Sequence, residues 1–192
     1  MHPLRMEPLE GFQCVHHRQK GNAMVTNQDL IKIFEYALNQ ERTGKSFFEV
    51  SLQRMANGAA VNAFKRLIQE EEKHIVFISK ILENLHNKQS FTTAGLGVEA
   101  MEPTNYFDER AKSEFLQECV EGSMVPDVTV FNTAWLIEKD LSEYYEKMAA
   151  RTEGEAKNSL LMLSNWEKGH EKFFREYRDK LSEVYSRMPW GG

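Results

Sequence analysis

The chain has 192 residues, a formal net charge of −5 and a pI near 5.7, enough for one domain with a sizeable core and without the basic face that nucleic acid or an anionic membrane demands of a main partner. No apolar run approaches the ~20 residues of a membrane helix, and Met1–Met24 has no apolar core of a secretory signal, so a cytoplasmic protein is expected. Cys14 and Cys119 are the only cysteines and form no C-x-x-C, which excludes a disulfide framework and a rubredoxin or zinc-ribbon module.

In chain order, residues 1–26 read as a polar, disordered tail. Its Cys14, His16 and His17 are better explained by that tail than by metal handling. A first helix is expected after an N-cap at Thr26 or Asn27, with Asp29 in its first turn, running to about Met55. Asn57-Gly58 reads as a turn, and a second helix follows from about Ala59 to Asn87. The connection from about Lys88 to Pro126 contains Gly95, Gly97, Pro103 and Gly122 and is too long for a turn. Within it, Ala111, Phe115, Leu116 and Val120 space a short helix over Glu109–Val120 that can cover the bundle, gate a site or meet a partner. A third helix is expected from Asp127 to about Arg151 and a fourth from about Glu155 to Arg187, after a turn at Gly154. All five prolines (Pro3, Pro8, Pro103, Pro126 and Pro189) are placed outside these helices. No alternating β-branched run competes. The reading is all-α: two antiparallel helical hairpins joined by a long crossover, a four-helix bundle over residues 27–188.

One pattern is used twice within those helices. A lone glutamate, Glu41 or Glu138, is followed about thirty residues later by Glu-x-x-His, at Glu71/His74 and Glu167/His170. Aromatic residues repeat with it: Phe48 and Tyr145 each lie seven residues past the lone glutamate, and Phe77 and Phe173 three past each histidine. Residues equidistant from the turn of a helical hairpin are level, because each adds ~1.5 Å along its axis. Glu41 and Glu71 are nearly symmetric about Asn57-Gly58, and Glu138 and Glu167 about Gly154, so each lone glutamate should face its own Glu-x-x-His.

Helical phase gives the direction. Positions seven or eleven apart fall within about 20° of each other. Glu41 thus aligns with Phe34, Phe48 and Leu52; Glu71 with Ala60, Phe64, Ile78 and Leu82; Glu138 with Phe131, Tyr145 and Ala149; and Glu167 with Ala156, Leu160 and Phe174. His74 shares a stripe with Leu67, Ile81 and Leu85, and His170 with Leu163, Tyr177 and Leu181. All six polar groups are expected in the core.

Four ionised carboxylates there would cost several kcal/mol each if unpaired. No sufficient lysine or arginine stripe shares their phase, although Lys45 lies near Glu41. Two divalent cations would neutralise the four carboxylates, and two imidazoles would complete the coordination. This oxygen-rich set with one nitrogen per metal suits iron or manganese and disfavours structural zinc. A third Glu-x-x-His, Glu83 to His86, has no level glutamate and lies about 120° around the helix from Glu71. It reads as a solvated helix end. Trp135 and Trp166 flank the pattern and read as packing residues.

The segments EKDLSEYYEKMA, from Glu138, and EEEKHIVFI, from Glu70, resemble the ferritin-like di-iron carboxylate proteins, and among them the rubrerythrin branch, over about residues 27–87 and 127–187; the ligand arrangement is the known one for that class. The resemblance implies a ferritin-like bundle, two iron ions per site with manganese possible, Glu71 and Glu167 bridging, His74 and His170 each capping one metal, and Glu41 and Glu138 as terminal or bridging carboxylates. It implies reduction of H2O2 or O2 by a peroxidase or ferroxidase type of oxidoreductase, with electrons from a separate donor protein or from Fe(II) itself. Two departures loosen the match: Leu141 stands where rubrerythrins usually carry a further glutamate, and no rubredoxin-type C-x-x-C is present. A di-manganese catalase-like site and a non-catalytic metal-binding or interaction bundle share these ligands. Tyr145 and Tyr177, in phase with the ligands, can donate hydrogen bonds or relay electrons, or simply pack. A hydrophobic content of 41% in a short bundle points to a homodimer.

Overall fold

Thr26 opens the first helix in the computed structural model, which describes residues 25–55, 58–97 and 125–187. Helix α1 spans Asn27–Leu52, and Thr26 and Asp29 form a reciprocal capping box at its start. The Thr26 Oγ1 accepts from the Asp29 N–H at 3.2 Å, and Asp29 in return accepts from the Thr26 N–H at 3.1 Å, so two of the orphan donors of a helix start are satisfied.

Helix α2 spans Gly58–His86 and closes with a Schellman arrangement. Lys88 takes a left-handed φ of 55°, the Lys88 N–H bonds Leu85 O at 3.2 Å and the Gln89 N–H bonds Asn84 O at 2.9 Å. A short 3-10 turn, Ala94–Leu96, follows. Lys80 donates to Leu96 O at 2.8 Å and Thr93 to Glu155 at 2.7 Å, which ties the start of the crossover to α2 and to the beginning of the last helix. Helix α3 spans Val125–Ala149 and α4 spans Gly154–Arg187; Gly154 has a φ of 59°, a left-handed turn conformation that glycine adopts without steric cost.

Helix ends shift from the sequence expectation by a few residues, and Pro126 is a correction. It lies in the first turn of α3, where the missing N–H is one of the orphans and the fixed φ suits a helix. The tail, its Cys14, His16 and His17, and the helix expected over Glu109–Val120 lie outside the described residues.

The helices pair as two hairpins, α1 with α2 and α3 with α4, and α1 also touches α3. Tyr144 of α3 donates to Ile33 O at 2.9 Å, while Gly44 of α1 sits opposite Ile137. Higher numbers on one helix meet lower numbers on the other, so α1 and α3 are antiparallel. The architecture is the expected ferritin-like four-helix bundle, with no strand among the described residues.

Among the described residues, two apolar clusters fill the bundle. One, mostly aliphatic, includes Ile31, Ile78, Ile81, Leu82, Leu160 and Leu163. The other is aromatic, with Phe48, Phe64, Phe131, Phe173, Phe174 and Tyr177 in edge or stacked contact, as for Phe64 against Phe131 at 5.6 Å between ring centres. Between them lies a polar layer.

Candidate metal centre

That layer is made by one residue or one Glu-x-x-His from each helix: Glu41 from α1, Glu71 and His74 from α2, Glu138 from α3, Glu167 and His170 from α4. Five of the six are 0% exposed and His170 is 2% exposed. The same stripes bury their apolar partners Phe34, Phe48, Phe64, Ile78, Phe131, Tyr145, Leu160 and Phe174, so helical phase alone carries these groups inward. The third Glu-x-x-His behaves differently, since Glu83 and His86 are exposed.

The imidazoles organise the layer. His74 Nδ1 lies 3.4 Å from Glu41, 3.8 Å from Glu71 Oε2 and 2.8 Å from Glu167 Oε1. His170 Nδ1 lies 3.3 Å from Glu138, 3.2 Å from Glu71 Oε1 and 3.2 Å from Glu167 Oε2. Glu71 and Glu167 therefore direct one oxygen to each histidine, whereas Glu41 approaches only His74 and Glu138 only His170. Ligand atoms of Glu41, Glu71 and His74 lie within 4.8 Å of one another, as do those of Glu71, Glu138, Glu167 and His170.

Charge in this layer is poorly compensated by protein. Among the described residues, the ion-pair partners of these four glutamates are His74 and His170 alone; Lys45 pairs instead with Glu72 and Glu49 at the surface. Burial, then the neighbouring Glu167, pushes Glu41 well above the ordinary carboxylate range. Burial and the charge of Glu71 do the same to Glu138. Burial also works on Glu167, but His74 and His170 beside it hold this carboxylate well below its usual range. His74 is likewise buried, and Glu167 with Glu41 lifts it well above an ordinary imidazole.

Both oxygens of Glu71 and Glu138, and Oε1 of Glu167, are buried without a hydrogen bond among the described residues. Orphaned buried carboxylate oxygens facing one another are costly. A pair of divalent cations removes that cost, and hard oxygen donors with one imidazole per position fit iron or manganese.

Surrounding side chains complete the site. Tyr145 donates its hydroxyl to Glu41 Oε1, and burial, with Glu41 beside it, raises the phenol well above its ordinary pKa, so it is a neutral donor. Tyr177 is buried and packs on Phe131 and Phe173, ring centres 5.8 and 4.7 Å apart. Trp135 lies under Arg178, 4.0 Å from its ring centre. Trp166, expected only to pack, lies parallel to the His74 ring at 5.0 Å. Glu70 was not foreseen at all: it is 7% exposed, with Oε2 3.2 Å from His170 Nε2. Its phase carried the signal, because Phe77 and Ile81, seven and eleven residues on, are both core residues.

A cleft of about 190 Å³ opens between α1 and α3, lined by Tyr36, Gln40, Thr43, Gly44, Ile137, Asp140, Leu141 and Tyr144. Gly44 and Leu141 lie one turn beyond Glu41 and Glu138. Leu141, 5% exposed, thus presents an apolar surface beside the polar layer.

No curated protein and no solved structure matches the chain at a significant level. No described helix is long and apolar enough to cross a membrane. The Rubrerythrin family profile, however, matches residues 32–178, a span that contains all four helical contributions to the buried Glu/His layer, and the chain belongs to the rubrerythrin family of ferritin-like di-iron proteins.

Proposed function

We propose that Glu41, Glu71, His74, Glu138, Glu167 and His170 hold two iron ions and that the protein is an oxidoreductase reducing H2O2 or O2. The convergence of four buried carboxylates, three of them with orphaned oxygens, on two imidazole nitrogens carries this reading. Glu71 and Glu167, each turned to both histidines, would be shared between the two ions, and Glu41 with His74, and Glu138 with His170, would each serve one of them. Bound iron supplies one electron per metal, so that two electrons and two protons convert H2O2 to two waters.

The chain supplies placement and proton control. Tyr145 holds one oxygen of Glu41 and leaves the other for metal. Glu138 accepts no hydrogen bond among the described residues, so its carboxylate can change binding mode without breaking one. The two apolar clusters exclude water from above and below the layer, which strengthens the electrostatics within it. The cleft over Gly44 and Leu141 is the route by which a small oxidant reaches the metals. Electrons return from a separate donor protein or from further Fe(II), the work is done in the cytoplasm, and the assembly is a homodimer.

Anaerobic loading with Fe(II) should give about two equivalents per chain, since the ligands form two sets. Stopped-flow mixing with H2O2 and, separately, O2 should then show rapid growth of ferric absorption with at least one oxidant. Stoichiometric metal binding with no oxidation by either would refute the redox reading and leave a metal-holding bundle. Loading with Mn(II) and assay for peroxide disproportionation separates the manganese alternative.

A further inference from the structure

The doubled pattern makes the hairpins near-equivalent, which gives each position a counterpart. Glu70 and Trp166 each precede the glutamate of a Glu-x-x-His, and each reaches across to the histidine of the other hairpin. Glu70 Oε2 lies 3.2 Å from His170 Nε2. Trp166 instead stacks its ring on His74 at 5.0 Å and an interplanar angle of 8°. His74 Nε2 is buried with no hydrogen-bond partner among the described residues. A second pair of counterparts, Phe48 and Tyr145, differs by a hydroxyl: Tyr145 donates to Glu41, whereas both oxygens of Glu138 accept no hydrogen bond among the described residues.

These exchanges act in one direction. A carboxylate that accepts the N–H of a ligating imidazole fixes the tautomer, aims the other nitrogen inward and strengthens it as a donor. Glu70 does this for His170, while Trp166 orients His74 without offering an acceptor. A phenol hydrogen bond meanwhile draws charge from Glu41, and Glu138 keeps its full charge for metal. Both differences favour the His170 side.

We propose that Glu70 is a positioning residue that makes the two metal positions unequal, so that the one served by Glu138 and His170 fills first and the one served by Glu41 and His74 fills second. This rests on the six residues being metal ligands, as proposed above.

Titration of the metal-free full chain with Co(II), followed by d–d absorption and calorimetry, tests it. Two steps separated by about tenfold or more in Kd are expected for the unmodified chain. Glu70→Ala should weaken the first step by about 10–100-fold, merging it with the second, and Glu70→Gln, which keeps an acceptor oxygen, should lose less. His74→Ala should retain the first step, and His170→Ala should lose it. A single step in the unmodified chain, equal weakening of both steps in Glu70→Ala, or an unchanged titration curve would each overturn the inference. Circular dichroism checks that each variant is folded; if Glu70→Ala is not, Glu70→Gln decides by whether it weakens the first step alone. Binding of no cobalt by the unmodified chain would instead refute the metal site itself.

Discussion

Glu71 and Glu167 are the residues on which the layer depends, because each faces both histidines while the other two carboxylates face one. The double variant Glu71→Ala/Glu167→Ala should fold and lose both metal equivalents, read by metal analysis after desalting; retained stoichiometric binding would refute the assignment. Tyr145 makes a different contribution. Tyr145→Phe leaves Glu41 Oε1 buried without its donor, and thermal or urea unfolding of the metal-free protein should show a loss of about 1–3 kcal/mol. Metal stoichiometry should be unchanged, since Tyr145 bonds one of the six proposed ligands and is not among them. All six candidate ligands were legible from residue type, spacing and helical phase. Glu70 was overlooked beside its neighbours: its phase with Phe77 and Ile81 marks it as inward, but only geometry across the bundle shows that it meets His170, while Glu72 pairs with Lys45 at the surface.

At the scale of elements, α1 and α3 meet around Gly44, which leaves the cleft open. A Cβ at Gly44 would lie 3.5 Å from Ile137 Cγ2, an ordinary contact. Gly44→Ala should therefore raise stability by up to about 1 kcal/mol through helix propensity, measured by urea unfolding. Thr43, exposed on the cleft wall, offers the complementary test. Thr43→Trp should slow oxidation of the iron-loaded protein by H2O2 with no change in metal stoichiometry, and an unchanged rate would reject this route for the oxidant. Helix existence and order were readable because caps, turns and periodicity are local. Pro126 shows where such reading slips: a proline marks the neighbourhood of a boundary but is also accepted inside the first turn of a helix.

The whole molecule balances a buried acidic layer against two apolar clusters, and pH shifts that balance. Glu41 and Glu138 are raised above their ordinary value of 4.5, so the folded chain binds their protons more tightly than the unfolded one. Their contribution is complete below that value and is lost as pH rises through the raised folded values. His74, raised above 6.5, acts in the same direction. Glu167, lowered from 4.5, contributes above that value and loses its contribution only in acid. The metal-free protein should accordingly melt at lower temperature as pH rises from about 5 to about 8. Metal requires deprotonated carboxylates and a neutral imidazole, so the stabilisation by Fe(II) or Mn(II) should grow over the same range. A metal-free melting temperature that rises with pH would contradict the assigned directions.

The four helices of the described residues, their pairing into hairpins and the level and inward phase of six ligand-type residues can all be read from the amino-acid order, because they follow from a fixed rise and rotation per residue and from where the turns lie. Which oxygen faces which histidine, the reach of Tyr145 to Glu41, and the crossing of Glu70 and Trp166 to opposite hairpins come from the packing of the folded bundle. Those contacts depend on how far apart the hairpins stand and which rotamers close the gap between them, quantities no single helix carries in its own periodicity.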